Sequence, residues 1–281
     1  MKVLCVIISV VRKSLLYIGL GTIAVFQIFP LMWLVLFSLK SNQEIFDLSP
    51  LSLPPEPRWD NYLRVWNEGN ISQYFFNSVI YTGISVVLTI LFASMVTFAI
   101  TRMKWKLSGL VLGIFTVGMM IPLHSTLIPL FNMFLRAGMI NHPITIILLY
   151  TTFNLPITIL ILFGFYQTLP RELEEAAIMD GASIHKLFLS IILPMTSPVI
   201  VTAAIINMIY NWNEFIFMNT FISSEEYRTL TVGIQNFIGQ YTTDWGAIGA
   251  TLVISMLPIL ILFFILSDRI MEGLTAGSIK G

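Results

Sequence analysis

Few side chains in this sequence can do chemistry, and most of those that can fall in two stretches. The first is ELEEAAIMDGASIHKLFLSIILPMTSP, Glu172 to Pro198, a polar island between long apolar runs. Pro170 suits the first position of a helix, where its missing N–H costs nothing. Glu172, Glu174 and Glu175 then crowd the positive end of that helix. Leu173, Ala176, Ala177 and Asp180 recur at helical spacing and share a face that is small and flat, so another backbone can come close. Asp180-Gly181 breaks the helix, as glycine commonly does just past a helix end. Ser183 can cap a second short helix running through Lys186 to Ile192. Leu193-Pro194 ends it, and Pro198 opens the next apolar run. The chemistry this predicts is recognition: two short helices joined at a glycine bend, a handle on which another protein could dock. An interfacial loop with no partner is the competing reading.

The second stretch is INMIYNWNEF, ending at Phe215. Asn207, Asn211 and Glu214 form one helical stripe. Glu214 is the only acidic residue inside any of the apolar spans, and a carboxylate so placed normally faces a cavity or a partner. Sixteen helical rises from Pro198 put it about 24 Å along the helix, in the outer part of a bilayer. Two roles stay open for the stripe: lining a hydrophilic pathway, or clamping neighbouring helices together. Asn154, beside Pro156 in another span, is a further pathway candidate.

Composition says what must position these groups. Of 281 residues 56% are hydrophobic and 11% charged, with mean hydropathy +0.85. Soluble domains are about 45–50% apolar and 25% charged, so this is an integral membrane protein. A net charge of zero gives no case for nucleic acid. Cys5 is alone, so one chain can form no disulfide or cysteine metal cluster. His124, His142 and His185 are scattered and make no HExxH pattern. There is no GxxxxGK[ST] and no GxGxxG, so any ATP that drives the protein is bound by another chain, and no metal or cofactor site is expected in this one.

Six spans are predicted, at 15–39, 74–100, 109–130, 144–165, 198–221 and 245–266, each long enough to cross. With the N-terminus inside, the inner segments hold Lys2, Arg12, Lys13, Arg102, Lys104, Lys106, Arg171, Lys186, Arg269 and Lys280. The outer ones hold Lys40, Arg58, Arg64, Arg136 and Arg228. Ten against five of the fifteen Lys and Arg supports N-in, C-in topology. The resulting organisation is a cytoplasmic segment at 1–13, a six-helix domain at 14–268 with a cytoplasmic loop at about 166–197, and a cytoplasmic tail at 269–281. Val3 to Val11 is too short to span and reads as an inner-surface helix rather than a signal peptide, because Arg12-Lys13 and a full span follow. The outer segment 40–73 is proline-rich, with Trp59, Tyr62 and Trp66 suited to an interface. Ile121-Pro122 and Pro129 bend the third span, as a static kink or a hinge.

The 172–198 stretch resembles the EAA loop of bacterial ABC importer permeases. The matching positions are Glu175-Ala176-Ala177, Asp180-Gly181-Ala182 and Ile192-Leu193-Pro194. Trp212-Asn213-Glu214-Phe215, Thr229-Leu230-Thr231-Val232-Gly233, Asp244-Trp245-Gly246 and the Asn61-Tyr62 pair before the second span resemble carbohydrate permeases. The ending Gly273-Leu274-Thr275-Ala276-Gly277-Ser278-Ile279-Lys280-Gly281 resembles that of the maltose-type second permease subunit. The likeness runs from about the first span to the last residue. It implies an all-α integral membrane protein with the maltose-type six-helix permease fold, in a bacterial plasma membrane. It implies ATPase coupling through Glu175, Ala176, Ala177, Asp180, Gly181, Ala182, Leu193 and Pro194. Its partners would be a second homologous permease, two ATPase subunits carrying ATP and Mg, and an extracytoplasmic sugar-binding protein. The chain itself would not be an enzyme. The cargo implied is a carbohydrate, with a phosphorylated polyol or other small polar solute as the alternative; the absence of Arg or Lys inside a span leans toward a neutral sugar. The tail would reach the ATPase pair or else be a solvated end.

Two readings of another class compete. An ion-driven secondary transporter would place ionisable groups near the bilayer midplane, and none lies there. A non-transporting scaffold or sensor is opposed mainly by the polar fifth span.

Overall fold

The computed structural model describes residues 2–103, 105–239 and 243–276, and side-chain surroundings from residue 11 to residue 267 within those ranges. Among the described residues the chain is helical throughout, with one isolated β-bridge, Ile238 to Thr243. The helices are α1 (Lys2–Ser38), α2 (Asn42–Asp47), α3 (Asp60–Asn67), α4 (Ile71–Arg102), α5 (Ser108–Met120), α6 (Leu127–Arg136) and α7 (Pro143–Tyr166). They continue as α8 (Glu172–Met179), α9 (Ile184–Leu187), α10 (Leu193–Met195), α11 (Ser197–Trp212), α12 (Ile216–Phe221), α13 (Leu230–Gly233) and α14 (Trp245–Ala276). Among the described residues four helices are long and apolar enough to cross a membrane, or up to six spans if each of two bent pairs counts as one.

The bends sit where sequence chemistry puts them. α5 and α6 meet at 94°. Ile121-Pro122 and the 3₁₀ turn Leu123–Thr126 separate them, because Pro122 has no N–H to carry the ladder onward. α9–α10 and α11 meet at 74°, across Thr196. Here one expectation is corrected: Leu193-Pro194 does not end the second short helix. A π-helical turn at Phe188–Ile192, in which the Leu193 N–H bonds to the Phe188 carbonyl, widens the helix ahead of Pro194 and carries it on to Met195. The N-terminal segment is likewise no separate helix, since α1 runs unbroken through Arg12 and Lys13. α14 continues past Leu266 to Ala276, because only Gly273 weakens it, by about 1 kcal/mol. The rest of the tail, 277–281, lies outside the described residues.

The chain forms two compact units. The first comprises residues 1–71 and 234–256. Asn61 Nδ2 donates to the carbonyls of Ser38 (2.9 Å) and Lys40 (3.2 Å), and the Tyr62 hydroxyl meets Ser38 Oγ at 2.5 Å. Asp244 pairs with Arg64 at 2.8 Å and caps α14 through the Ala247 N–H. A Cβ on Gly246 would lie 2.8 Å from Asn61 Nδ2, so this glycine permits a backbone approach. The Asn61-Tyr62 and Asp244-Trp245-Gly246 motifs are thus two halves of one joint. Lys40 is buried, with its ammonium donating to the Ser49 and Pro50 carbonyls and Ser52 Oγ. α2 opens with a reciprocal Ser41–Glu44 capping box, whose N–H and hydroxyl hold the Glu44 carboxyl below the usual carboxylate range.

The second unit comprises residues 72–233 and 257–281. It has two apolar clusters. One gathers Phe134, Ile146, Leu149, Phe217, Met218 and Phe221 with their neighbours. The other gathers Phe98, Ile159, Leu162, Leu187, Ile192 and Val199, and takes in Ala177 and Phe188 of the 172–198 loop. On α7 the first cluster reaches Phe153 and the second begins at Leu155. Buried Thr151, Asn154 and Thr158 straddle that junction. α4 contributes buried Ser78, Thr82, Ser85 and Thr89, small residues that let membrane helices approach closely.

Candidate functional site

The loop is built much as its residue types dictate. α8 starts at Glu172 with Arg171 as N-cap, so Pro170 lies just outside the helix instead of at its first position. α8 closes in a Schellman turn: the Ala182 N–H bonds to the Ala177 carbonyl and the Gly181 N–H to that of Ile178. Gly181 sits at φ +77°, the left-handed region that favours glycine. Ser183 caps α9 by accepting from the Lys186 N–H.

The loop has two sides. Leu173, Glu175, Ala176, Met179, Asp180 and Gly181 are exposed, Leu173 at 49% and Met179 at 86%. Ala182 and Leu193 are half-buried, and Pro194 is exposed. The other side faces the bundle through Glu174 and Ala177. Glu174 Oε1 lies 2.7 Å from Arg102 Nε, at the end of α4, with side chains only 10% and 7% exposed. The contact is ionic and not an aligned hydrogen bond. Arg102 also donates from Nη2 to the Tyr166 carbonyl at 2.9 Å, and its guanidinium lies 6.0 Å from the Tyr166 ring centre. Neither Arg102 nor Glu174 stands out in the sequence as a site residue. The available signal was an arginine closing a span and three glutamates in one helical turn, of which only the fold selects Glu174.

The asparagine stripe is turned onto α7. Asn154 Nδ2 donates to Asn211 Oδ1 at 2.7 Å, and Asn207 Nδ2 donates to Thr158 Oγ1 at 2.9 Å. Asn211 is 5% exposed, and its Nδ2 has no acceptor. Glu214 is not in a helix at all. α11 ends at Trp212, and Glu214 lies in the break before α12. Its carboxylate accepts from the Phe217 and Met218 N–H groups (2.8 and 3.0 Å) and from the Tyr150 hydroxyl (3.2 Å), capping α12. Thr231 donates to the Glu214 carbonyl, and the Leu230 N–H to Ser78 Oγ. A Cβ on Gly233 would collide with the Tyr74 ring, so the Thr229–Gly233 motif is also a close-packing device. Chemically, the arrangement offers amide and hydroxyl groups in an apolar surround and, among the described residues, no cluster able to hold a metal.

Comparison with known proteins gives the family and the fold. Residues 85–275 match the family described as "Binding-protein-dependent transport system inner membrane component". The probable ABC transporter permease protein YurM of Bacillus subtilis is 36% identical over 253 residues, covering 90% of this chain and 84% of that protein. The trehalose/maltose transport system permease protein MalG of Thermococcus litoralis is 32% identical over 277 residues, covering 97% and 99%. A crystal structure of a bacterial ABC transporter involved in import of the acidic polysaccharide alginate superposes with a TM-score of 0.81 at 19% identity, covering 92% of this chain and 96% of that one, and so shares the fold. With two-thirds of its length matched by the family and relatives spanning nearly all of it, this chain belongs to the binding-protein-dependent transport system inner membrane components, the permease subunits of ABC transporters.

Proposed function

We propose that this chain is one permease of an ABC importer that carries a carbohydrate across a bacterial inner membrane. Six spans place both termini and the 172–198 loop in the cytoplasm, supported by the distribution of Lys and Arg. The segments at 1–13 and 269–281 then flank a six-helix domain at 14–268. A second homologous permease completes the pathway, and an extracytoplasmic sugar-binding protein delivers the substrate. Two ATPase subunits hold ATP and Mg and supply the motion. The mechanism is alternating access: closure of the ATPase pair displaces the loops, and the helix bundle rocks between inward- and outward-facing forms.

The observation that carries this reading is the two-sided loop. Its outer side, with Glu175, Ala176, Asp180 and Gly181 beside the larger Leu173 and Met179, is exposed, while its inner side packs into the cluster containing Phe98, Leu162 and Ile192. A loop shaped to hold nothing would not need a rigid glycine-capped face presented outward. Carbohydrate as cargo is supported by the named substrates of the relatives and by the amide layer of Asn154, Asn207 and Asn211, since amides both donate to and accept from sugar hydroxyls. The test is substrate-stimulated ATPase activity of the complex in liposomes. Gly181→Pro and Glu175→Lys should abolish it without disturbing membrane insertion. Normal coupling in either variant would sink the docking assignment.

A further inference from the structure

α8 has only eight residues, too few to hold a helix by itself. Whatever displaces α8 therefore reaches the bundle through the contacts that tie it there. The chain itself leads back from Glu172 to Tyr166 and forward through Gly181 to α9. Ala177 packs into an apolar cluster with Leu187 and Ile192. The Arg102–Glu174 pair is, among these, the one that reaches α4 through a specific polar contact.

The position of that pair follows from helix electrostatics. Arg102 is the last residue of α4 and bonds the Tyr166 carbonyl, at the last residue of α7. It thus sits at the negative ends of two helices and shares the Tyr166 carbonyl with the Leu169 N–H. Glu174 is in the first turn of α8, at the positive end of a third helix. Three helix termini converge with matching charge on each side. Both side chains are buried, so separating them would strand a charge in a poorly solvated place, which makes the contact stiff.

We propose that Arg102 and Glu174 form a strut: a pair of positioning residues that makes α8, α4 and the end of α7 move as one body during the transport cycle. This rests on the reading of α8 as the ATPase docking element, and it adds a route from that element into a membrane helix. The apolar contact of Ala177 alone would let α8 slide or tilt, because dispersion and apolar burial are non-directional. The ion pair adds a charge-specific tether between α8 and the end of α4.

The test is a distance measurement by pulsed electron resonance. Spin labels go on cysteines replacing Met179, on the exposed end of α8, and Met103, which follows α4 and is 45% exposed. Cys5 is first replaced by serine. The reconstituted transporter is measured without nucleotide and trapped with ATP and vanadate. A strut predicts one narrow distance, the same in both states. It predicts broadening in Arg102→Gln, in at least the trapped state, and a return to a narrow distribution in the charge-swapped Arg102→Glu/Glu174→Arg pair. A pair that merely stabilised the fold would not tie the distance to charge complementarity. A wild-type distance that changes on trapping overturns the strut while docking stands. An Arg102→Gln distribution as narrow as the wild type in both states also overturns it. Failure of the wild-type permease to retain any ATPase overturns docking and strut together.

Discussion

Two buried or half-buried carboxylates sit at two places in the same compact unit, and the fold treats them differently. Glu174 meets a full positive charge supplied by a helix far away in sequence. Glu214 meets only neutral donors, two of them N–H groups of the next helix and the third the Tyr150 hydroxyl. The first contact joins elements that could otherwise move apart. The second closes a local turn, strengthened by the dipole of the helix it caps, and adds a longer hydrogen bond to Tyr150 of α7. The difference teaches that burial of an acid does not by itself mark a site. What the acid is paired with, a full charge or neutral donors, decides how firmly it ties the elements it touches.

The sharpest way to break this comparison is to truncate one member at each place. Removing one partner of a buried ion pair costs about 3–5 kcal/mol. Losing a helix cap costs roughly 0.5–2 kcal/mol. Arg102→Ala should therefore lower the thermal stability of the detergent-solubilised permease clearly more than Glu214→Ala does. Equal losses, followed by melting of the same preparation, would mean that the Arg102–Glu174 contact is no stronger than a cap.

Next in size is the amide layer between the two places. Leaving a buried polar group without its partner costs about 1–3 kcal/mol, whereas replacing both partners by apolar groups can be nearly neutral. Asn154→Leu and Asn211→Leu should each destabilise, and the double variant should recover much of the loss. Transport separates the two readings of the stripe. If the amides line the pathway, the double variant is stable yet transports poorly. If they only clamp α7 to α11, transport recovers along with stability.

Much of the loop was legible in the sequence because its signals are local. Gly181 must end α8 since a left-handed residue is required there, and Ser183 must cap α9 since its hydroxyl reaches an N–H three residues on. Helical spacing puts Leu173, Ala176, Ala177 and Asp180 on one face, but the fold turns Ala177 onto the bundle and leaves the other three exposed. The rest depends on partners that no spacing reveals. The helix survives Pro194 because a π turn precedes it, which is a compromise between backbone sterics and packing of Leu187 and Ile192. Glu214 looked like an acid inside a span because nothing between Trp212 and Ile216 is a strong breaker; the break exists because the carboxylate itself caps α12. The Asn61-Tyr62 and Asp244-Trp245-Gly246 motifs could be recognised separately, but only the fold shows that one docks on the other.

Glycine substitutions sharpen the contrast between the loop and the other end. Gly181→Ala meets open space but must hold a left-handed conformation. That costs an L-residue roughly 1–2 kcal/mol, and it should loosen α8 without unfolding the bundle. Hydrogen exchange should accelerate at Asp180 to Ser183 and stay unchanged around Phe217. Faster exchange around Phe217 as well would show that the two regions are not independent.

The smallest expected effect tests whether the Glu214 end is held by local caps. Asn141 and Asn70 both adopt positive φ, 61° and 57°, which asparagine tolerates better than most residues. Their surroundings differ. Asn141 Oδ1 accepts from the N–H groups of Ser223 and Ser224, and its Nδ2 donates to Ser224 Oγ, so it ties the start of α7 to the segment that follows α12. Asn70 is exposed, and its conformation is all the fold asks of it. Glycine relieves backbone strain at either position, but at Asn141 it also removes side-chain hydrogen bonds worth about 0.5–1.5 kcal/mol each in net terms. Asn70→Gly should leave the melting temperature within error, while Asn141→Gly lowers it by a few degrees, since about 1 kcal/mol corresponds to roughly 2–4 °C in a chain of this size. The two values, measured side by side in the same detergent, decide the matter: equal shifts would mean that backbone conformation, and not the caps around α12, sets the stability of that end.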